Sequence, residues 1–293
     1  MVAIQAVGLL SPGEMGSVVA RVLIDHSMPV LTCLDGRGER TWERARSAGI
    51  RELATYEGLV EHCDLLLSIL VPAEAESAAR HVADALRHTG RRLLYVDCNA
   101  IAPDTARSVA ETIAAAGGTC IDAGIIGPPP TRQGITRFYA SGQRADEFAT
   151  LSNSGLDIRV LGPDIGQASG FKMCYAALTK GTAALTMAQL VAAARLGLYE
   201  TLVAELQLSQ PDRYSDMARS LPGTPAKAGR WIGEMEEIAR TLASVGAPSG
   251  FHMSAADIYR LVQEAFPGGF DAKGDADATL AEFVRRLART LGS

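Results

Sequence analysis

The chain has 293 residues, 47% hydrophobic and 21% charged, with a formal net charge of −5. That is a globular mixture with length for about two domains, and it excludes a disordered tail or a fibrous repeat. With no dense Lys or Arg run and only 5% aromatics, a nucleic-acid surface is not expected.

The five cysteines (Cys33, Cys63, Cys98, Cys120, Cys174) are scattered and form no CxxC. They read as reduced residues, and neither a redox dithiol nor a metal site is predicted. The N-terminus lacks a basic, apolar leader, and the longest apolar stretch, near residues 181–194, is too short to cross a bilayer. The expectation is a cytoplasmic protein without membrane contact.

In chain order, residues 4–10 read as a buried strand, followed by a glycine-bearing turn and a helix carrying Val18, Val19, Val22 and Leu23. Further apolar runs at 30–34, 65–71, 93–96 and 119–123 predict strands, and 138–140 and 158–161 two shorter ones. Continuous apolar runs separated by helical patterns mark strands buried on both faces. The predicted fold is therefore an α/β Rossmann domain, with a doubly wound, mostly parallel sheet, over residues 1–163. After Gly162-Pro163 the pattern is helical throughout: an apolar helix from 167 to about 205, then helices at 224–245, 254–266 and 276–291. Residues 164–293 are thus expected to form an all-α domain for substrate binding and dimerisation. A helix apolar on all sides needs cover from another domain or a second copy, so a homodimer is expected.

The first strand leads into Gly8, Gly13 and Gly16 and then a helix, the arrangement that places a pyrophosphate on a helix N-terminus. Ser11 stands where the strict GxGxxG pattern has its first glycine. Asp35 closes the second strand, where a carboxylate accepts both adenosine ribose hydroxyls and repels a 2′-phosphate. Arg37, with Arg40 behind it, could hold that phosphate instead. NAD is the favoured cofactor and NADP the alternative.

These residues carry a resemblance. The stretch from Gly8 through Ser11, Gly13, Glu14 and Met15 to Gly16 resembles the fingerprint of the β-hydroxyacid dehydrogenases, which include 6-phosphogluconate and 3-hydroxyisobutyrate dehydrogenases. Leu70-Val71-Pro72, Asp97-Cys98-Asn99, the segment 122–127 and Gly166–Lys172 follow in the family's order. The resemblance implies that the turn residues and Leu70, Val71 and Pro72 bind cofactor. It further implies that Asn99 faces the nicotinamide or the substrate, and that Lys172 is the catalytic acid/base.

The residues agree with that role for Lys172. In an apolar helix its amine is stripped of water, which favours the neutral form that takes a proton from an alcohol. The related imine reductases usually place an aspartate or tyrosine there, so carbonyl/alcohol chemistry is expected. Where the family has a carboxylate-binding serine this chain has Ile126, and where it has an asparagine it has Ala176. An apolar pocket for a bulky or aromatic substrate follows, with Gly127, Tyr175, Trp231, Met235 and His252 as further candidates to line it. Asp97 and Asp122, at strand ends, either cap backbone or act. The function expected is hydride transfer between a nicotinamide and an alcohol or carbonyl carbon of a hydroxyacid-like substrate. The alternatives are a redox-neutral lyase that retains its NAD, and a nucleotide-binding protein whose active site has decayed.

Overall fold

The computed structural model describes residues 4–291. Within its first compact unit, which ends at Met173, eight strands form one sheet: β1 (Val7–Leu10), β2 (Val30–Cys33), β3 (Arg51–Leu53), β4 (Leu65–Ser68), β5 (Leu94–Asp97), β6 (Thr119–Ile126), β7 (Arg137–Ser141) and β8 (Ile158–Gly162). Their spatial order is β3-β2-β1-β4-β5-β6-β7-β8. β1 to β6 run parallel, β7 pairs antiparallel with β6, and β8 follows β7. Six helices connect the strands: α1 (Glu14–Asp25), α2 (Glu39–Ala48), α3 (Tyr56–His62), α4 (Ala75–Thr89), α5 (Pro103–Ala114) and α6 (Ala145–Ala149).

The sheet is buried on both faces because its strands are apolar at successive positions. In β4, Leu65 and Leu67 join a core built with α1, α2 and α6. Leu66, pointing the other way, joins α3, α4 and α5. Strand alternation divides one apolar run between two cores. The chain reverses its order of winding between β1 and β4. Ligands of open parallel sheets bind at such a switch point, beyond the carboxyl ends of the strands.

The second unit begins at Cys174, inside helix α7 (Gln167–Arg195) rather than at the Gly162-Pro163 turn. The first turns of α7 belong to the unit that holds the sheet. The expected single helix to about 205 is two: Gly197, at φ 72, turns the chain between α7 and α8 (Tyr199–Ser209). Then come α9 (Pro211–Ser220), α10 (Ala228–Ser244), α11 (Gly250–Ala265) and α12 (Ala276–Thr290). α10 starts later than expected, since residues 224–227 close two turns, Thr224 N–H donating to Leu221 O and Lys227 N–H to Thr224 O. Met235, Ile238, Ala256, Tyr259 and Val262 form the buried contact of α10 and α11. Phe283 of α12 stacks on Phe266 at 5.1 Å. Among the described residues no helix is long and apolar enough to cross a membrane.

Candidate active site

The carboxyl ends of β1, β2, β4, β5 and β6 lie along one edge of the sheet, and the candidate residues of the first unit follow them. After β1 the chain turns at Ser11, whose φ is 56. The left-handed backbone that a glycine would adopt freely is kept here by a serine, at about 1 kcal/mol. Gly13 N–H donates to Ser11 O at 2.6 Å, and α1 begins at Glu14 with no side chain capping its first turn. Those N–H groups and the helix dipole suit a phosphate. Gly8 serves packing: a Cβ there would stand 2.9 Å from both Cys63 Sγ and Leu66 Cδ1. Gly16 approaches the Ser11 carbonyl, and Met15 packs on the sheet core. At Gly13 an added Cβ would meet only Ser11 O, at 3.9 Å, so the space over the turn is open.

Asp35 and Arg37 share the turn after β2, which Arg37 N–H closes onto Leu34 O at 3.0 Å. Asp35 is exposed and Arg37 half-buried. After β4, Leu70, Val71 and Pro72 form a loop tied to the end of β5: Asn99 Oδ1 accepts Leu70 N–H at 2.5 Å. Asn99 Nδ2 donates to Ser68 Oγ at 3.0 Å and to Asp97 Oδ2 at 3.1 Å. Asn99 is buried, and its amide is occupied in holding this loop. Burial, opposed by the Asn99 hydrogen bonds and reinforced by the Asp122 charge, pushes the Asp97 carboxyl up to about 7.

Asp122 caps α7. Its carboxylate accepts Gly166 N–H at 2.9 Å, Ser169 N–H at 3.0 Å and Ser169 Oγ–H at 2.6 Å. Ser141 Oγ donates to it at 3.2 Å and itself accepts Ala168 N–H at 3.1 Å. Burial raises its pKa, and these donors oppose the rise. The start of α7 is thereby fixed on β6 and β7, with Phe171 against Tyr139 at 4.4 Å between ring centres.

The helix comes so close because residue 124 has no side chain. A Cβ on Gly124 would meet Lys172 Cβ at 2.8 Å and Ala168 O at 3.0 Å. Lys172 can then donate from Nζ to the Ile125 carbonyl at 2.6 Å, which places its amine at the end of β6. Next along β6, Ile126 is buried. Gly127 has φ 114, and the Ile135 carbonyl occupies the place of its missing Cβ. Thr136 Oγ1 donates to Pro128 O at 2.5 Å, pinning the proline loop.

In the helical unit the candidates separate. Met235, a candidate to line the pocket, has no exposed surface. It fills the α10–α11 core, because its helical spacing from Trp231 serves packing. Ala176 is also buried, whereas Tyr175 is exposed. The Trp231 ring meets Tyr259 edge-on at 5.4 Å, with Lys180 Nζ 5.4 Å and Lys227 Nζ 5.8 Å from its centre. Lys180 forms a buried ion pair with Glu234, and Tyr259 O–H donates to Lys180 O at 2.7 Å. His252 lies against Gly181 and Phe251; its Nδ1 is buried with no hydrogen-bond partner among the described residues. The Lys180–Glu234 pair could not have been found by spacing, since 54 residues separate its members. Among the described residues no cluster of His, Cys, Asp and Glu could hold a metal ion.

A family model described as the NAD binding domain of 6-phosphogluconate dehydrogenase matches residues 4–152, just over half the chain. A domain of unknown function (DUF1932) matches residues 193–262. The chain belongs to the first of these families. A solved conserved protein of unknown function, described as structurally similar to 3-hydroxyacid dehydrogenases, is 32% identical with a TM-score of 0.67; the match covers 88% of this chain and 97% of that one. An uncharacterised 28.5 kDa protein of Methanothermus fervidus is 27% identical over 214 residues, 73% of this chain and 81% of that protein. The 3-hydroxyisobutyrate dehydrogenase of Pseudomonas aeruginosa is 29% identical over 181 residues, 58% of this chain and 60% of the enzyme. Solved imine reductases share the fold at lower identity. The protein is a divergent member of a dehydrogenase family, and its cofactor class is a nicotinamide nucleotide.

Proposed function

We propose that this protein moves a hydride between a nicotinamide nucleotide and the carbinol or carbonyl carbon of a hydroxyacid-like substrate, with Lys172 as the general acid/base. The open turn at Gly13, the uncapped start of α1 and the exposed Asp35 fit the nucleotide's pyrophosphate and ribose. When bound, the nicotinamide supplies the hydride acceptor or donor. The protein's part is to hold the two carbons within reach and manage one proton.

The single observation that carries this reading is the lysine anchored on the Ile125 carbonyl. A hydrogen bond from Nζ to a backbone oxygen orients the amine, so that a proton can pass between Nζ and the substrate oxygen as hydride crosses. Asp35 favours NAD, since a carboxylate repels the extra phosphate of NADP. Buried, apolar Ile126 offers no hydrogen bond to a small carboxylate, which favours a larger or aromatic substrate. The same loss supports a second reading, in which transient oxidation drives C–C cleavage and the hydride returns. Stoichiometry separates the two: a dehydrogenase yields one NADH per product, the lyase none.

Lys172→Ala tests the acid/base role. Turnover should fall by at least about 100-fold, within the range of general acid/base contributions, while NADH affinity stays nearly intact. Unchanged turnover would overturn the mechanism.

A homodimer is the assembly proposed. α8 buries none of its residues, and Leu178 and Leu208 are 73% and 80% exposed. A second copy covering these leucines would remove them from water. A monomer by light scattering at micromolar concentration would refute it.

A further inference from the structure

We infer that Asp97 is a positioning residue for the nucleotide site: its carboxylate decides which way the Asn99 amide faces, and through Asn99 it fixes the backbone of the loop at Leu70. The inference rests on the nucleotide reading above and adds a residue that does not itself reach the cofactor edge. Asp97 Oδ1 accepts Asn99 N–H at 2.8 Å and its Oδ2 accepts Asn99 Nδ2 at 3.1 Å. The other end of the same amide accepts Leu70 N–H.

The two ends of an amide are alike in shape and opposite in hydrogen bonding. Turned over, the Asn99 oxygen would meet the carboxylate, acceptor against acceptor. Its NH2 would then meet Leu70 N–H, donor against donor. An ionised Asp97 can only accept, so it permits one orientation. Ser68 Oγ, the third partner, can donate or accept and enforces neither. A group at 97 that carries its own donor hydrogen removes the carboxylate's part of this selection, leaving Leu70 N–H alone to hold the amide, and so weakens the tie at the loop.

Protonation supplies such a donor. Asp97 is fully buried and its register partner on β6 is Asp122. Asp122, Tyr95, Cys98 and Cys120 are the titratable groups that act on it or feel its charge. None of them is a cation, and none offsets the burial that carries the Asp97 carboxyl into the neutral range. As pH falls through that range Asp97 gains a proton, the hold on the Asn99 amide weakens, and the Leu70–Pro72 loop loosens.

The test pairs two readouts on the full-length protein from about pH 5.5 to about pH 8.5, wild type beside Asp97→Asn. One is hydrogen exchange at the Leu70 amide, corrected for the intrinsic dependence of exchange on pH; the other is NADH affinity by fluorescence titration. In the wild type, Leu70 exchange should quicken and affinity weaken, each by about tenfold, as pH falls below about 7, the loss of about one hydrogen bond. Asp97→Asn should show the loosened values at every pH. Should that variant fail to fold, the wild-type titration stands as the test. Flat wild-type profiles, or a variant as protected at Leu70 as the wild type, would overturn the inference. Leu70 protection that titrates while no nucleotide binds at any pH would keep the Asp97–Asn99 latch and reject the nucleotide reading.

Discussion

Replacing Gly124 by Ala probes the contact on which the proposed chemistry depends. The new Cβ would lie 2.8 Å from Lys172 Cβ and 3.0 Å from the Ala168 carbonyl. Carbon atoms in contact prefer about 3.5–4.0 Å, so α7 must retreat from β6 by roughly 1 Å. Overpacking of this kind costs about 1–3 kcal/mol. For a unit of this size that lowers Tm by about 3–10 °C. The same retreat stretches the 2.6 Å bond from Lys172 Nζ to Ile125 O to the limit of a hydrogen bond. A displacement of about 1 Å at a reacting group costs on the order of 100-fold in rate. The assay is thermal denaturation followed by circular dichroism, beside turnover measured by NADH absorbance. NADH affinity should hold, because the β1–α1 turn lies elsewhere on the sheet edge. A variant that melts and turns over like the wild type would show that the approach of α7 to Gly124 does not position the lysine.

Gly13→Ala should give the opposite pattern: Tm within about 2 °C, because the added methyl meets only one atom at 3.9 Å, but NADH affinity reduced by about tenfold or more as it fills the space over the turn; unchanged affinity would refute the pyrophosphate placement. Glu234→Ala removes the buried carboxylate partner of Lys180 and should cost about 3 kcal/mol in chemical denaturation, whereas Lys180→Met with Glu234→Leu should lie near the wild type; a small effect of the single change would reclassify the pair as solvated. The raised Asp97 pKa makes the folded protein more stable as pH falls from about 7 toward the unfolded value. That contribution is complete below the unfolded value near 3.8 and is lost as pH rises through about 7, an amount of order 4 kcal/mol at most. Asp122 titrates in the same direction. Urea midpoints across this window should show the decline, and Asp97→Asn should flatten it; a decline that is equally steep in the variant would assign it to other groups.

The amino-acid sequence by itself determined what local backbone and periodicity can express. Leu65, Leu66 and Leu67 are apolar in succession, which requires a strand covered on both faces. The glycine-bearing turn before α1 announces a nucleotide edge even with serine at residue 11. Lys172 stands out as a charge in an apolar helix. Tertiary structure decided the rest, because the deciding partners are far apart in sequence. β3 is a short, largely exposed edge strand whose residues Arg51 and Glu52 carry no apolar signal, and it exists through pairing with β2. β6 runs past residue 123 to Ile126 because β7 pairs with its end. Met235 follows the same helical spacing as Trp231, and only the packing of α11 distinguishes a core methionine from a half-buried tryptophan. Asn99 reads locally as a turn former. It becomes a latch between β4 and β5 because Leu70, 29 residues earlier, presents an N–H to one end of its amide while Asp97 constrains the other. A residue's chemistry is written in its type, but its role depends on which distant groups the sheet brings within hydrogen-bond reach.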